Sequence, residues 1–188
     1  MKRFILTLCV LSISILVFAY PADVEIISNR DYFPALVEEI KTAQDSIHVV
    51  MFSAGYYPEY SDDLNSALYR HLGLAVKRGV KVIVILDSSD WNRGTTMKNK
   101  MVADVLREKG VEVYFDPPDI TTHCKLIIID GKTVIVGSTN WTYYALARNN
   151  EASVLIRSPG LAKEFEEYFR MILKHSTPEL RIKFKEEK

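Results

Sequence analysis

The chain reads as an α/β protein, an α/β/α sandwich around a mixed, largely parallel β-sheet. Three observations predict it. Short β-branched runs alternate with amphipathic helical stretches over residues 24–115. A later pair of such runs is joined by the hairpin signal Asp130-Gly131-Lys132. Finally, the 188 residues are 48% hydrophobic, with 24 basic against 24 acidic side chains and no low-complexity run, as expected of one domain with a sizeable core.

The first segment stands apart. Met1-Lys2-Arg3 is basic and residues 4–19 are almost unbroken apolar sequence, the pattern of a signal peptide cut after Ala19. Residues 20–188 are then a single exported domain, periplasmic or secreted. An uncleaved membrane anchor over residues 4–20 is the alternative. Without Lys2 and Arg3 the mature chain holds 22 basic against 24 acidic residues, so a polyanion ligand would need a local basic face. Of the two cysteines, Cys9 leaves with the signal and Cys124 stays alone, which excludes an intrachain disulfide and a cysteine-rich zinc site.

Beyond the signal, residues 24–27 predict a strand, 31–43 a helix capped by Asp31, and 46–53 a buried strand. Ser61-Asp62-Asp63 opens a helix reaching about Arg78, with Leu64, Leu68, Leu72, Ala75 and Val76 on one side and Gly79 at its end. A buried strand over 80–86, a helix over 97–109 and a strand over 111–115 follow. Residues 125–129 and 133–136 form the hairpin, 152–156 another strand and 159–175 a last helix, before a Lys-rich tail.

The chemistry concentrates in Thr122-His123-Cys124-Lys125, then Asp130, then Gly137-Ser138-Thr139-Asn140. Residues two apart on a strand face the same way, so His123 and Lys125 project together. The hairpin returns Ser138 and Asn140 to the same end of the sheet. An imidazole, an ammonium, a hydroxyl and an amide thus converge. Such a set suits a phosphodiester: cation and neutral donors stabilise phosphoryl charge while the imidazole attacks phosphorus or moves a proton.

The six fixed positions His-x-Lys-x4-Asp-x6-Gly-Ser-x-Asn arise by chance in such a chain with probability on the order of 10⁻⁵. The pattern resembles, without departure, the HKD motif of the phospholipase D superfamily. That resemblance implies a metal-independent phosphodiesterase needing no cofactor. His123 would be the nucleophile, forming a phosphohistidine. Lys125 and Asn140 would bind phosphate oxygens with help from Ser138, and Asp130 would be structural. It further implies that Glu151, eleven residues after Asn140, hydrogen-bonds the catalytic histidine and fixes its tautomer.

The family reaction uses two histidines. His48, His71 and His175 are followed two positions later by Val50, Gly73 and Thr177, so no second His-x-Lys exists. The resemblance therefore implies a two-fold homodimer whose subunits share one site. On substrate, the single motif resembles the small periplasmic endonucleases of the superfamily, pointing to DNA and RNA. The alternative is a membrane-associated hydrolase of cardiolipin-like phospholipids. Tyr56 and Tyr57 in one loop, with Arg93 and Lys98 in another, are candidate groove residues for stacking bases and holding phosphates; Trp141, Tyr143 and Tyr144 carry the same ambiguity with packing.

Overall fold

The computed structural model describes residues 19–57, 59 and 63–182. The expected export segment before Ala19, the loop positions Pro58 and Tyr60, the helix opening Ser61-Asp62 and the tail after residue 182 lie outside the described residues.

The elements in chain order are β1 (Asp23–Ile26), α1 (Tyr32–Thr42), β2 (Ser46–Met51), α2 (Leu64–Lys77), β3 (Lys81–Leu86), α3 (Arg93–Glu108), β4 (Glu112–Phe115), β5 (Lys125–Ile129), β6 (Thr133–Gly137), α4 (Tyr143–Ala147), β7 (Ser153–Arg157) and α5 (Pro159–His175). The strands form one sheet in the order β1-β7-β6-β5-β2-β3-β4.

Only β2-β3 and β3-β4 pair in parallel; the other four pairings are antiparallel, which corrects the expectation of a largely parallel sheet. The reason lies in the connections. Helices α2 and α3 supply the two β–α–β crossovers, whereas β5 turns directly into β6 and so must run against it. Strands β5 and β7 point one way and the other five the opposite way.

Strand alternation divides the core. Val49, Met51, Val82, Val84, Leu86, Ile127 and Ile129 face a large cluster completed by Leu36 and Ile40 of α1, Leu68 and Leu72 of α2, and Val102 and Leu106 of α3. Val50, Ile83, Ile85, Leu126 and Ile128 face the other way, onto Ala162 and Phe169 of α5. Burial on both faces is why the central strands read as continuous apolar runs. His48, on the α5 face, stacks on Phe169 at 4.6 Å and meets Glu166 at 2.8 Å.

Local signals set the helix starts. The side chains of Asp63, Asn92 and Thr142 accept from the backbone N–H groups of Ser66, Thr95 and Ala145, and Pro159 occupies the first turn of α5. The Asn92 cap starts α3 at Arg93, four residues before the apolar periodicity becomes visible at Met97. Asp31 does not cap α1. A short 3₁₀ turn, Asn29–Asp31, leads into the helix, so Asp31 already has helical φ/ψ and its side chain caps nothing.

At the β5–β6 turn, Asp130 and Gly131 both have positive φ, +52° and +60°, and Lys132 N–H donates to Ile129 O at 3.0 Å. The Asp130 carboxylate accepts the N–H groups of Gln44, Asp45 and Ser46 at 2.8–2.9 Å, tying this turn to the start of β2. Burial alone would raise its pKa; these three donors and Lys132 outweigh that and hold it below the ordinary aspartate value.

Candidate active site

Because β5 and β7 run against their neighbours, their first residues meet the last residues of β2, β3, β4 and β6 at one edge of the sheet. Brought to this edge are His123 and Lys125 entering β5, Ser138 and Asn140 leaving β6, and Glu151 ahead of β7. Asp130 closes the opposite end of β5, a full strand length away.

His123 is exposed, whereas Lys125 is only 8% exposed. The Lys125 ammonium donates to the His123 carbonyl at 2.8 Å and lies 3.2 Å from each imidazole nitrogen. Phe52, just past β2, supports both: its ring centroid is 4.4 Å from the imidazole's and 5.0 Å from Lys125 Nζ. Burial pushes the Lys125 pKa below the ordinary lysine value, opposed in part by Cys124, Glu151 and Asp87.

Ser138 donates its hydroxyl to the Glu151 carboxylate and accepts Ala152 N–H at 3.0 Å. Glu151 also accepts from Asn149 Nδ2 at 3.0 Å, and its own N–H donates to Asn29 Oδ1 at 2.7 Å. The acid is therefore engaged by Ser138 and Asn149 rather than by His123. Gly137 explains its place in the motif: a Cβ there would collide with Ser153 Oγ of β7 and with the carbonyl of Ala152 just before it. Asn140 is half-buried, and its amide oxygen is buried without a hydrogen-bond partner.

Trp141 fixes the approach of Asn140. It is fully buried, its backbone N–H donates to Ser53 O at 3.0 Å and its indole to Tyr32 OH at 3.2 Å. Trp141 is thus a core residue. Tyr56 packs against the large cluster, and Tyr57 stands edge-on to Tyr143 at 6.4 Å, leaving Tyr144 exposed beside it. Arg93 and Lys98 are exposed in the first turns of α3. Cys124 points to the α5 face, 3.3 Å from Tyr168 OH.

Sequence reasoning missed Phe52 and two acids, Asp87 after β3 and Asp116 after β4, which are 0% and 2% exposed behind His123. A charged residue ending an apolar run at the carboxyl end of a strand was the available signal. A cleft of about 320 Å³ opens beside His123, lined by Pro117, Ile120, Cys124, Tyr168, Met171 and Ile172 among others. Among the described residues, no three His, Cys, Asp or Glu side chains gather so as to hold a metal ion.

An α/β/α sandwich presenting a His–Lys pair with Ser and Asn at one sheet edge defines a phospholipase D-type phosphoryl-transfer scaffold. The comparisons with known proteins agree. Residues 36–173, well over half of the chain, match the family described as "Cardiolipin synthase, PLD-like domain", and the chain belongs to this family within the phospholipase D superfamily, whose members are phosphodiesterases. It is 28% identical to a mitochondrial cardiolipin hydrolase of Danio rerio over 78% of this chain and 59% of that protein. It is 33% identical to a phospholipase D of Rickettsia prowazekii over 69% of this chain and 57% of that protein. The matches thus span less than two thirds of these relatives. The fold matches the crystal structure of Nuc, a phospholipase D family member from Salmonella typhimurium, with a TM-score of 0.70 and 25% identity, covering 84% of this chain and 97% of that one.

Proposed function

We propose that this protein is a metal-independent phosphodiesterase that hydrolyses nucleic-acid phosphodiester bonds at a site shared by two copies of the chain. The observation that carries it is the pairing of an exposed His123 with a nearly buried Lys125 at a sheet edge reached by Ser138 and Asn140.

In the reaction the neutral His123 imidazole attacks phosphorus, forming an N–P bond as the P–O bond to the leaving group breaks. Lys125, Asn140 and Ser138 stabilise the phosphoryl oxygens. The equivalent histidine of a second copy protonates the leaving oxygen. It then takes a proton from the water that attacks the phosphohistidine, which returns His123. Nucleic acid as substrate is supported by the aromatic pair Tyr57–Tyr143 with exposed Tyr144, and by Arg93 and Lys98, all on elements flanking the catalytic edge. Export directed by residues 1–19 is part of the same proposal.

A second reading, hydrolysis of a phospholipid, is favoured by one observation: the cleft beside His123 is mostly apolar and edged by exposed Ile120 and Met171. One experiment separates them. Purified protein is given single-stranded DNA, duplex DNA, RNA and cardiolipin vesicles, each with EDTA. Cleavage of nucleic acid in chelator is expected; turnover confined to vesicles selects the second reading, and activity that chelation abolishes and a divalent ion restores refutes metal independence.

The shared site is tested by coexpressing wild type with His123→Asn under two tags. Random pairing makes about half of the dimers mixed. Purified mixed dimers are expected to be nearly inert, because each holds one histidine. Half of wild-type activity would show that each chain is self-sufficient.

A further inference from the structure

Behind the His123–Lys125 pair lies a connected set of buried polar groups to which the motif gives no role. Asp87 Oδ1 accepts Thr122 N–H at 2.8 Å and Oδ2 accepts Ser89 Oγ–H at 2.8 Å. Its backbone carbonyl takes Asn99 Nδ2 at 2.8 Å; the same amide donates to Phe52 O at 2.8 Å, and Asn99 Oδ1 accepts Ala54 N–H at 2.8 Å. Asp87 is thus joined to both supports of the catalytic pair. One is Thr122, which precedes His123; the other is Phe52, whose ring touches His123 and lies under Lys125.

Neutral side chains would suffice to tie these loops together, and Ser89, Thr96 and Asn99 already do so. A fully buried carboxylate is expensive unless its charge is answered. The basic groups acting on Asp87 are His123 and Lys125. Its other charged neighbour is Asp116 at the end of β4. Helix α3 brings the uncharged Thr96 and Asn99 to this cluster, while Glu151 and Cys124 act on Lys125 in turn.

We propose that Asp87 is a positioning residue of the phosphoryl-transfer site: it anchors the entry of β5 through Thr122 and places a buried negative charge behind the Lys125 ammonium. The inference rests on the reading of His123 and Lys125 as the reacting pair. Burial raises the Asp87 pKa above the ordinary aspartate value, opposed by the hydrogen bonds from Ser89 and Thr122 and, to a smaller extent, by His123 and Lys125.

Asp87→Asn tests the charge alone, since its amide oxygen can still accept Thr122 N–H and its NH₂ can donate to Ser89. The pH dependence of kcat/KM is measured for both proteins on bis(p-nitrophenyl) phosphate in EDTA. The alkaline limb of the profile, which reports the Lys125 ammonium, is expected to move to lower pH in the variant, because one of the charges opposing the effect of burial on Lys125 is gone. An alkaline limb that stays in place while His123→Asn is inactive would overturn the role of Asp87 and leave the catalytic pair intact. Equal activity of wild type and His123→Asn would overturn the pair itself and this inference with it. Should Asp87→Asn not fold, carboxyl ¹³C titration of the wild type decides: Asp87 is expected to be ionised at pH 7, and a neutral Asp87 there refutes the proposal.

Discussion

The carboxyl group of Asp116 is raised from 3.8 to about 6, mainly by burial, with a further push from Asp87. Its Oδ1 accepts Ser88 N–H at 2.6 Å, whereas Oδ2 is buried without a partner. A shift of about two pH units corresponds to about 3 kcal/mol at roughly 1.4 kcal/mol per unit. Because the folded state holds this proton more tightly than the unfolded chain, protonated Asp116 favours the fold. That contribution is complete below pH 3.8 and is lost as pH rises through about 6. Asp116→Asn keeps an acceptor for Ser88 and never ionises. The stability of the variant minus that of wild type, from urea unfolding at intervals between pH 4 and 8, should therefore grow by about 2–3 kcal/mol, equivalent to a midpoint shift of roughly 1–2 M urea. An amide hydrogen left without an acceptor would lower the whole curve by about 1–3 kcal/mol but would not tilt it. The slope is therefore diagnostic, and a difference that stays flat across this range would refute the assignment of a strained, ionised Asp116 at neutral pH.

Asp130→Ala should separate a structural motif member from the reacting ones. It strands three backbone N–H groups and puts alanine at positive φ, so a loss of about 2–4 kcal/mol in stability is expected; the protein that remains folded should keep most of its kcat, and loss of kcat at full stability would contradict this. Glu151→Gln removes charge from a residue that holds Ser138 and leaves His123 untouched, so kcat is expected to fall about tenfold, far less than in His123→Asn; equal losses would give the acid a direct role. Activity should also decline at alkaline pH with a midpoint below the ordinary lysine value, since Lys125 must be an ammonium and its pKa is lowered by burial. A profile still rising past pH 10.5 would show that Lys125 titrates elsewhere or is dispensable.

Much of this protein is legible in one dimension, where the relevant interactions are local. The alternation of β-branched and amphipathic segments placed strands and helices to within a few residues. Asp130-Gly131 marked a turn because both positions need positive φ. His123-x-Lys125 placed two groups on one face because side chains alternate along a strand. What stayed hidden depends on who pairs with whom. The short α4 carries too few residues for a period, and Asp31 fails as a cap only because a 3₁₀ turn precedes it. Strand direction was misjudged because it depends on how many helical crossovers the chain makes before it turns back on itself. Trp141 read equally well as a base-stacking ring, yet the sheet buries it against Tyr32. Asp87 and Phe52 lie far from the motif in sequence, and Asp116, seven residues before His123, follows a different strand. Only the ordering of β5, β2, β3 and β4 in one sheet brings their strand ends beneath His123, out of water, where a carboxylate acquires the pKa and the partners that make it matter.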